Sequence, residues 1–104
     1  MTFSTRTSRA SVAAVSDPND LQTRFATAQS DVQKLSRAPE TSDLLELYAL
    51  FKQGTVGDVN TTRPGMMDFK GRAKWDAWDK RRGMTREQAM QSYIALVEKL
   101  RAAG

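Results

Sequence analysis

The stretch Tyr48–Trp78, YALFKQGTVGDVNTTRPGMMDFKGRAKWDAW, is the most informative part of this chain. It opens with Tyr48 and Lys52 at a spacing of four, which places both side chains on one face of a helix. Residues 57–65, GDVNTTRPG, have the composition of a loop. A second group of cations and aromatic rings follows this loop: Lys70, Lys74, Trp75 and Trp78. Two helices that present cations and rings together suit a ligand that is part phosphate and part planar base.

Upstream of this stretch, the apolar spacing predicts two helices. Asp17 or Asn19 is the predicted N-cap of the first helix, which has to end before Pro39. This helix carries an apolar stripe at intervals of three and four: Leu21, Phe25, Ala28, Val32 and Leu35. The second helix contains the start of the quoted stretch, and its cap candidates are Thr41, Ser42 and Asp43. Apolar residues cover much of its circumference, so it must contact more than one neighbour or a ligand.

Downstream, a short third helix is predicted within Asp68–Arg82, and Gly83 ends it. Thr85 and Gln88 have the spacing of a capping box, which marks the start of a fourth helix. One face of that helix is apolar: Ala89, Tyr93, Leu96, Val97 and Leu100. The sequence contains neither the alternation of a strand nor an internal repeat, and it therefore predicts an all-α bundle of four helices.

The composition excludes most enzyme and metal chemistry. The chain has 104 residues, the size of one domain, and it contains neither Cys nor His. Thiol nucleophiles, disulfides and thiolate metal sites are therefore impossible, and the commonest general base is missing. Residues 58–62 faintly resemble a calcium loop, but Arg63 replaces the required Gly and Phe69 replaces the required Glu. We expect no enzyme activity, no metal and no cofactor.

The formal charge of +4 is concentrated in residues 63–82, which hold seven basic and three acidic residues. Such a local excess favours an anionic partner. Single-stranded nucleic acid is one alternative, because cations and a ring lie together in residues 70–75, although the carboxylates of the segment weigh against it. An anionic membrane surface is another alternative, with the third helix lying on the lipid.

The large apolar residues near the third helix receive structural interpretations. Trp75 and Trp78 are predicted to anchor this short helix, since the segment has few other apolar residues. Met66 and Met67 are predicted to fill gaps in the packing.

The N-terminal segment has a different composition from the rest of the chain. Residues 1–16 are rich in Ser, Thr and Ala, and they contain Arg6 and Arg9 but no acid. A flexible extension and part of a mitochondrial transit peptide both fit this composition. We predict a flexible extension at 1–16 and a folded domain at 17–104. The predicted location is cytoplasmic, with a mitochondrial location as the alternative.

The segment Leu47–Trp78, LYALFKQGTVGDVNTTRPGMMDFKGRAKWDAW, closely resembles the signature of the acyl-CoA-binding protein family. The likeness extends from about Leu21 to the C-terminus. The resemblance implies a four-helix, monomeric carrier that binds, buffers and transports medium- and long-chain fatty acyl-CoA without a cofactor. Transient membrane contact is a further expectation, and nucleic acid is not an expected partner.

By this resemblance, Tyr48, Lys52 and Lys74 stand at positions that contact the 3′-phosphate of the nucleotide. Lys70 lies in the same segment and is expected to add attraction for phosphates. Phe51 replaces a tyrosine whose ring stacks against adenine. Phenylalanine keeps the stacking surface but loses the hydroxyl, so we predict weaker binding rather than none. On spacing alone, the alternative is that the two rings pack in the core and the lysines are surface cations.

The other predicted contacts come from three helices. Gln33 stands where the family often has Lys near the phosphates, and Gln29 lies one turn earlier, where small residues are usual. Tyr93 matches a tyrosine that closes over the ligand. Leu44 and Leu45 match apolar positions that flank the acyl chain. For Tyr93 and the two leucines, plain core packing is the alternative.

Overall fold

The structure, a computed structural model, describes residues 20–103. In this range the regular elements are four helices, which confirms the predicted all-α bundle. They are α1 (Leu21–Val32), α2 (Thr41–Thr55), α3 (Phe69–Asp79) and α4 (Arg86–Ala103). The predicted extension at 1–16 and the cap candidates Asp17 and Asn19 lie outside the described residues. No helix between residues 20 and 103 is long and apolar enough to cross a membrane.

The capping box predicted for α4 is confirmed. The Gln88 backbone N–H donates to Thr85 Oγ1 at 3.0 Å, and the Thr85 backbone N–H donates to Gln88 Oε1 at 3.0 Å. At the start of α3, Asp68 Oδ1 accepts a hydrogen bond from the Gly71 N–H at 2.9 Å. Both helix starts therefore satisfy backbone donors that would otherwise lack a partner.

The caps predicted for α1 and α2 are wrong. Asp20 caps α1, where its carboxylate accepts from the Thr23 N–H at 3.2 Å. Glu40 occupies the N-cap of α2 without a side-chain hydrogen bond, so Thr41 is the first helical residue and not the cap. Several neighbouring residues at each start can cap, and tertiary packing selects among them.

The first helix ends at Val32, before Pro39 as predicted, but Leu35 of the predicted stripe lies outside it. The second helix continues through Gly54, which is buried between α1 and α4. A Cβ at this position would lie 3.2 Å from Phe25 Cζ and 3.3 Å from Met90 Cγ, so Gly54 permits the close approach of three helices.

The core forms where α4 packs against α1 and α2, while α3 packs on α2. Its buried members are Phe25, Ala28, Leu47, Leu50, Ala89, Met90, Tyr93, Ile94 and Val97. The rings of Phe25 and Tyr93 meet edge to face at a centroid distance of 5.2 Å. Because α3 packs mainly on α2, additional contacts fix the loop between these two helices.

Two indole groups of α3 form hydrogen bonds to the loop between α2 and α3. Trp78 Nε1 donates to the Gly57 carbonyl at 2.8 Å, and Trp75 Nε1 donates to the Thr61 carbonyl at 2.9 Å. Trp78 is 4% exposed. These contacts agree with the structural role predicted for both residues. The prediction for Met66 and Met67 is wrong, because their side chains lie at the surface instead of filling gaps in the interior.

A buried amide joins α2 to the two connections around α3. The side chain of Gln53 is fully buried, and its Nε2 donates to Asp58 Oδ1 and to the Met84 carbonyl, both at 2.8 Å. The Gly83 N–H also donates to Asp58 Oδ1 at 2.8 Å. These hydrogen bonds lower the pKa of Asp58, the backbone donor having the larger effect.

We expect this arrangement to make stability depend on pH. A carboxyl group whose pKa is lowered by folding stabilises the fold above its unfolded pKa, and this contribution disappears as pH falls through the folded pKa. Asp58→Asn should therefore be less stable than the unsubstituted protein at neutral pH, with the difference vanishing well below pH 3.8. Urea unfolding across this pH range measures it. Glu98→Gln, at an exposed carboxylate of α4, is the control; a difference for Asp58→Asn that persists in acid would contradict the assignment.

Candidate functional site

An open groove of about 370 Å³ brings five of the predicted site residues together. These are Gln33, Leu44, Tyr48, Phe51 and Tyr93. The groove, called here the Tyr48 groove, is completed by Val32, Pro39 and Leu47. It exists because α2 carries apolar residues on more than one face, so the face turned from the core still lines a surface depression.

The aromatic wall of the Tyr48 groove is held from behind by the core. Phe51 is half-buried and packs against Phe25 at a centroid distance of 6.3 Å, and Phe25 in turn contacts Tyr93. Burial raises the pKa of the Tyr93 hydroxyl, so this group stays neutral and keeps its proton at physiological pH. The wall therefore offers a ring surface and a hydroxyl donor in fixed positions.

Two lysines cross between α2 and α3 beside this groove. Lys52 of α2 places its Nζ 4.9 Å from the ring centroid of Trp78 in α3. Lys74 of α3 places its Nζ 5.5 Å from the ring centroid of Tyr48 in α2. Neither lysine takes part in an ion pair within residues 20–103. Cation–π contacts at exposed sites are weak, so both ammonium groups are available to an anion.

A second groove, of about 350 Å³, lies between α2 and α3 and contains Leu45. Its other lining residues are Ser42, Glu46, Ala73, Asp76, Ala77 and Lys80. We call it the Leu45 groove. The adjacent residues Leu44 and Leu45 thus face different grooves, and Leu44 is 51% exposed. Large apolar side chains at the surface on both sides of α2 are consistent with a ligand that extends over this helix.

Ion pairs fix the frame of the Leu45 groove. Arg63 donates two hydrogen bonds to Asp76, from Nε to Oδ1 at 2.9 Å and from Nη2 to Oδ2 at 2.8 Å. The Arg63 guanidinium lowers the pKa of Asp76, and Asp76 raises the pKa of Arg63. Arg81, just after the end of α3, also pairs with Glu46 of α2. The negative charges of Glu46 and Asp76 are therefore balanced by arginines, and Lys80 is the lysine that lines this groove.

Four predicted residues line neither groove: Lys52, Lys74, Lys70 and Gln29. Lys52 and Lys74 instead make the contacts between α2 and α3 described above. Lys70 is exposed in the first turn of α3, and Gln29 is half-buried on α1. Their contribution to binding stays a prediction. Conversely, sequence reasoning missed Trp78 as the partner of Lys52, and it missed Ala73 and Ala77 as groove residues. The spacing of four between Ala73 and Ala77 was an available signal, because it places two small side chains on one face of α3.

Comparisons with known proteins identify the family of this chain. A family model described as "Acyl CoA binding protein" matches residues 22–97. Acyl-CoA-binding protein homolog 1 of Caenorhabditis elegans is 53% identical over 76 residues, which are 73% of this chain and 88% of that protein. The acyl-CoA-binding protein homolog of Manduca sexta is 51% identical over 84 residues, which are 80% of this chain and 93% of that protein.

The fold is also shared with solved structures. The crystal structure of Oryza sativa Acyl-CoA-Binding Protein 2 is 41% identical, has a TM-score of 0.77, and is matched over 80% of this chain and 92% of that one. The crystal structure of the acyl-CoA-binding protein of Moniliophthora perniciosa is 42% identical with a TM-score of 0.72, over 76% and 78% of the two chains. Sequence and fold together give one answer: this chain belongs to the acyl-CoA-binding protein family.

Proposed function

We propose that this chain binds medium- and long-chain fatty acyl-CoA, buffers it and transports it within the cell. Membership of the family supports binding and carriage without catalysis. The single structural observation that carries the proposal for the site is the crossing of Lys52 and Lys74 beside an aromatic groove. Proteins of this family bind acyl-CoA as their ligand and need no cofactor.

The polar end of the ligand is proposed to lie against the Tyr48 groove. Lys52, Lys74 and the Tyr48 hydroxyl hold the 3′-phosphate, and the adenine stacks on Phe51. Two ammonium groups and a phenol match a phosphate that carries close to two charges. Hydrogen bonds to charged groups contribute about 1.5–3 kcal/mol each. Their sum favours a CoA ester strongly over a ligand without phosphate. Because Phe51 lacks the tyrosine hydroxyl, we expect this binding to be weaker but not abolished.

The acyl chain is proposed to run over α2 along the apolar side chains of Leu44 and Leu45. Burial of each methylene contributes about 0.8 kcal/mol. Both grooves are open, so the ligand's own head group has to cover part of the chain. Tyr93 borders the Tyr48 groove at the α4 side, and Gln33, at the C-cap of α1, donates without adding charge. Lys70 adds attraction for the phosphates from the exposed start of α3.

Calorimetry tests the proposed function directly. We expect a long-chain acyl-CoA to bind at least about tenfold more tightly than the free fatty acid of equal length, because only the ester engages the lysines. Free CoA is the matched control for the polar end alone, and it should bind more weakly than the ester. Equal affinity for the ester and the fatty acid would rule out phosphate recognition by this site.

The remaining features of the proposal concern the setting of the protein. A monomer in the cytoplasm, with transient membrane contact during loading and delivery, fits a carrier of this size. Nucleic acid, the alternative suggested by the basic segment, has no support among the relatives, which are acyl-CoA-binding proteins.

A further inference from the structure

Three large apolar side chains lie at the surface where the loop after α2 meets α3. Met66 is 76% exposed, Met67 is 87% exposed and Phe69 is 75% exposed. The Asp68 N–H donates to the Gly65 carbonyl at 3.1 Å, so the two methionines occupy the corners of a turn. We refer to these three side chains as the apolar tip. Three large apolar side chains with this exposure within four consecutive residues indicate an interaction surface.

The apolar tip does not form part of either groove. The Tyr48 groove and the Leu45 groove are lined by other residues. Along α3, however, Phe69, Ala73 and Ala77 follow one another at a spacing of four and therefore share one helix face. Ala73 and Ala77 line the Leu45 groove. Phe69 of the tip therefore lies on the same face of α3 as two residues of the groove proposed to receive the acyl chain.

The charge around the apolar tip favours an anionic partner. The acidic residues of this segment are engaged within the protein: Asp68 caps α3, while Asp76 and Asp79 pair with arginines. Lys70 and Lys74 are exposed and form no ion pair within residues 20–103. Apolar side chains that protrude beside unpaired lysines are the combination that binds the interface of an anionic bilayer.

We propose that the apolar tip inserts into the interfacial region of an anionic lipid bilayer, with Lys70 facing the lipid phosphates. Docking in this orientation places the end of the Leu45 groove at the lipid surface, so an acyl chain passes between membrane and groove along Phe69. The docking depends only on the exposed apolar tip and the charges around it, whereas the transfer of the acyl chain also rests on the proposed function. Trp75 and Trp78 do not take part, because their indole N–H groups bond to backbone carbonyls.

Co-sedimentation of the full chain with vesicles tests the docking. We compare vesicles of phosphatidylcholine with vesicles of equimolar phosphatidylcholine and phosphatidylserine. The triple variant Met66→Ser, Met67→Ser, Phe69→Ser should lower the partition coefficient on the anionic vesicles by about tenfold or more. Val56→Ser, at an exposed apolar residue at the end of α2, is the matched control and should bind as the unsubstituted chain does.

The lysine contribution has its own comparison. Lys70→Ala should lower binding to the anionic vesicles several-fold, whereas Lys99→Ala, at an exposed lysine of α4, should leave it unchanged. This pair keeps the docking testable even if the triple variant folds poorly, which circular dichroism checks. Equal effects of the two lysine variants would mean that net charge alone, and not the tip, attracts the protein.

Three results would overturn the docking. One is vesicle binding by the triple variant that equals that of the unsubstituted chain. Another is concentration-dependent self-association that the triple variant abolishes, which would make a second copy the occupant of the tip. The third is a loss of acyl-CoA affinity in the triple variant, measured without vesicles, that is as large as its loss of vesicle binding. This result would assign the tip to the ligand site. A chain that binds anionic vesicles but no acyl-CoA would instead refute the proposed function and leave the docking intact.

Discussion

Replacing both Lys52 and Lys74 by alanine is expected to lower the affinity for a long-chain acyl-CoA on the order of a hundredfold or more, and each single replacement by about tenfold to a hundredfold. The reason is the loss of hydrogen bonds to a charged phosphate, at about 1.5–3 kcal/mol each, where about 1.4 kcal/mol corresponds to a factor of ten. Calorimetry with the ester measures the change. Affinity for the free fatty acid should remain the same, since it lacks the phosphate.

The fold should tolerate these substitutions. Lys74 is exposed and Lys52 is half-buried, and the contacts that they lose are cation–π contacts worth about 0.5–1 kcal/mol at exposed sites. Thermal unfolding should therefore change by only a few degrees in either single variant. Lys99→Ala is the control for the removal of one surface charge. If either site variant unfolds, or if Lys99→Ala weakens binding equally, the two lysines are not the phosphate ligands.

Trp78→Ala is expected to lower the free energy of unfolding by about 3–5 kcal/mol, the range for large aromatic residues in a core. Trp78 is almost fully buried, so its removal leaves a cavity. It also deprives the Gly57 carbonyl of its indole donor. In a domain of this size each kcal/mol lowers the melting temperature by about 4–8 °C, so the loss is measurable by thermal or urea unfolding.

A matched pair of variants separates the two tryptophans. Trp75→Ala should cost clearly less than Trp78→Ala, because Trp75 is half-buried and its hydrogen bond to the Thr61 carbonyl lies at the surface. Trp78→Phe should keep most of the packing and lose mainly the hydrogen bond, at about 0.5–1.5 kcal/mol. Equal destabilisation by Trp75→Ala and Trp78→Ala would show that burial at residue 78 is not what holds α3 to the bundle.

Much of the site was predictable because its parts are local. Tyr48, Phe51 and Lys52 are within one helical turn, so their proximity follows from helix geometry alone. The resemblance to the family then added Lys74 and Tyr93, which are distant in sequence but lie at or beside the same groove. Gln29 and Lys70 were named in the same way and line neither groove, since a sequence match gives a position on a helix but not the packing around it.

By itself, the sequence determined the four helices, the capping box of α4 and the basic aromatic segment, because periodicity, capping and composition act over a few neighbouring residues. The tertiary structure alone decided which rings the two lysines approach, that Leu44 and Leu45 face different grooves, and that Met66 and Met67 lie at the surface. The contacts of the two lysines and the Leu45 groove depend on where α3 rests on α2. That position is fixed by contacts between residues far apart in the chain, such as Trp78 with Gly57 and Arg81 with Glu46.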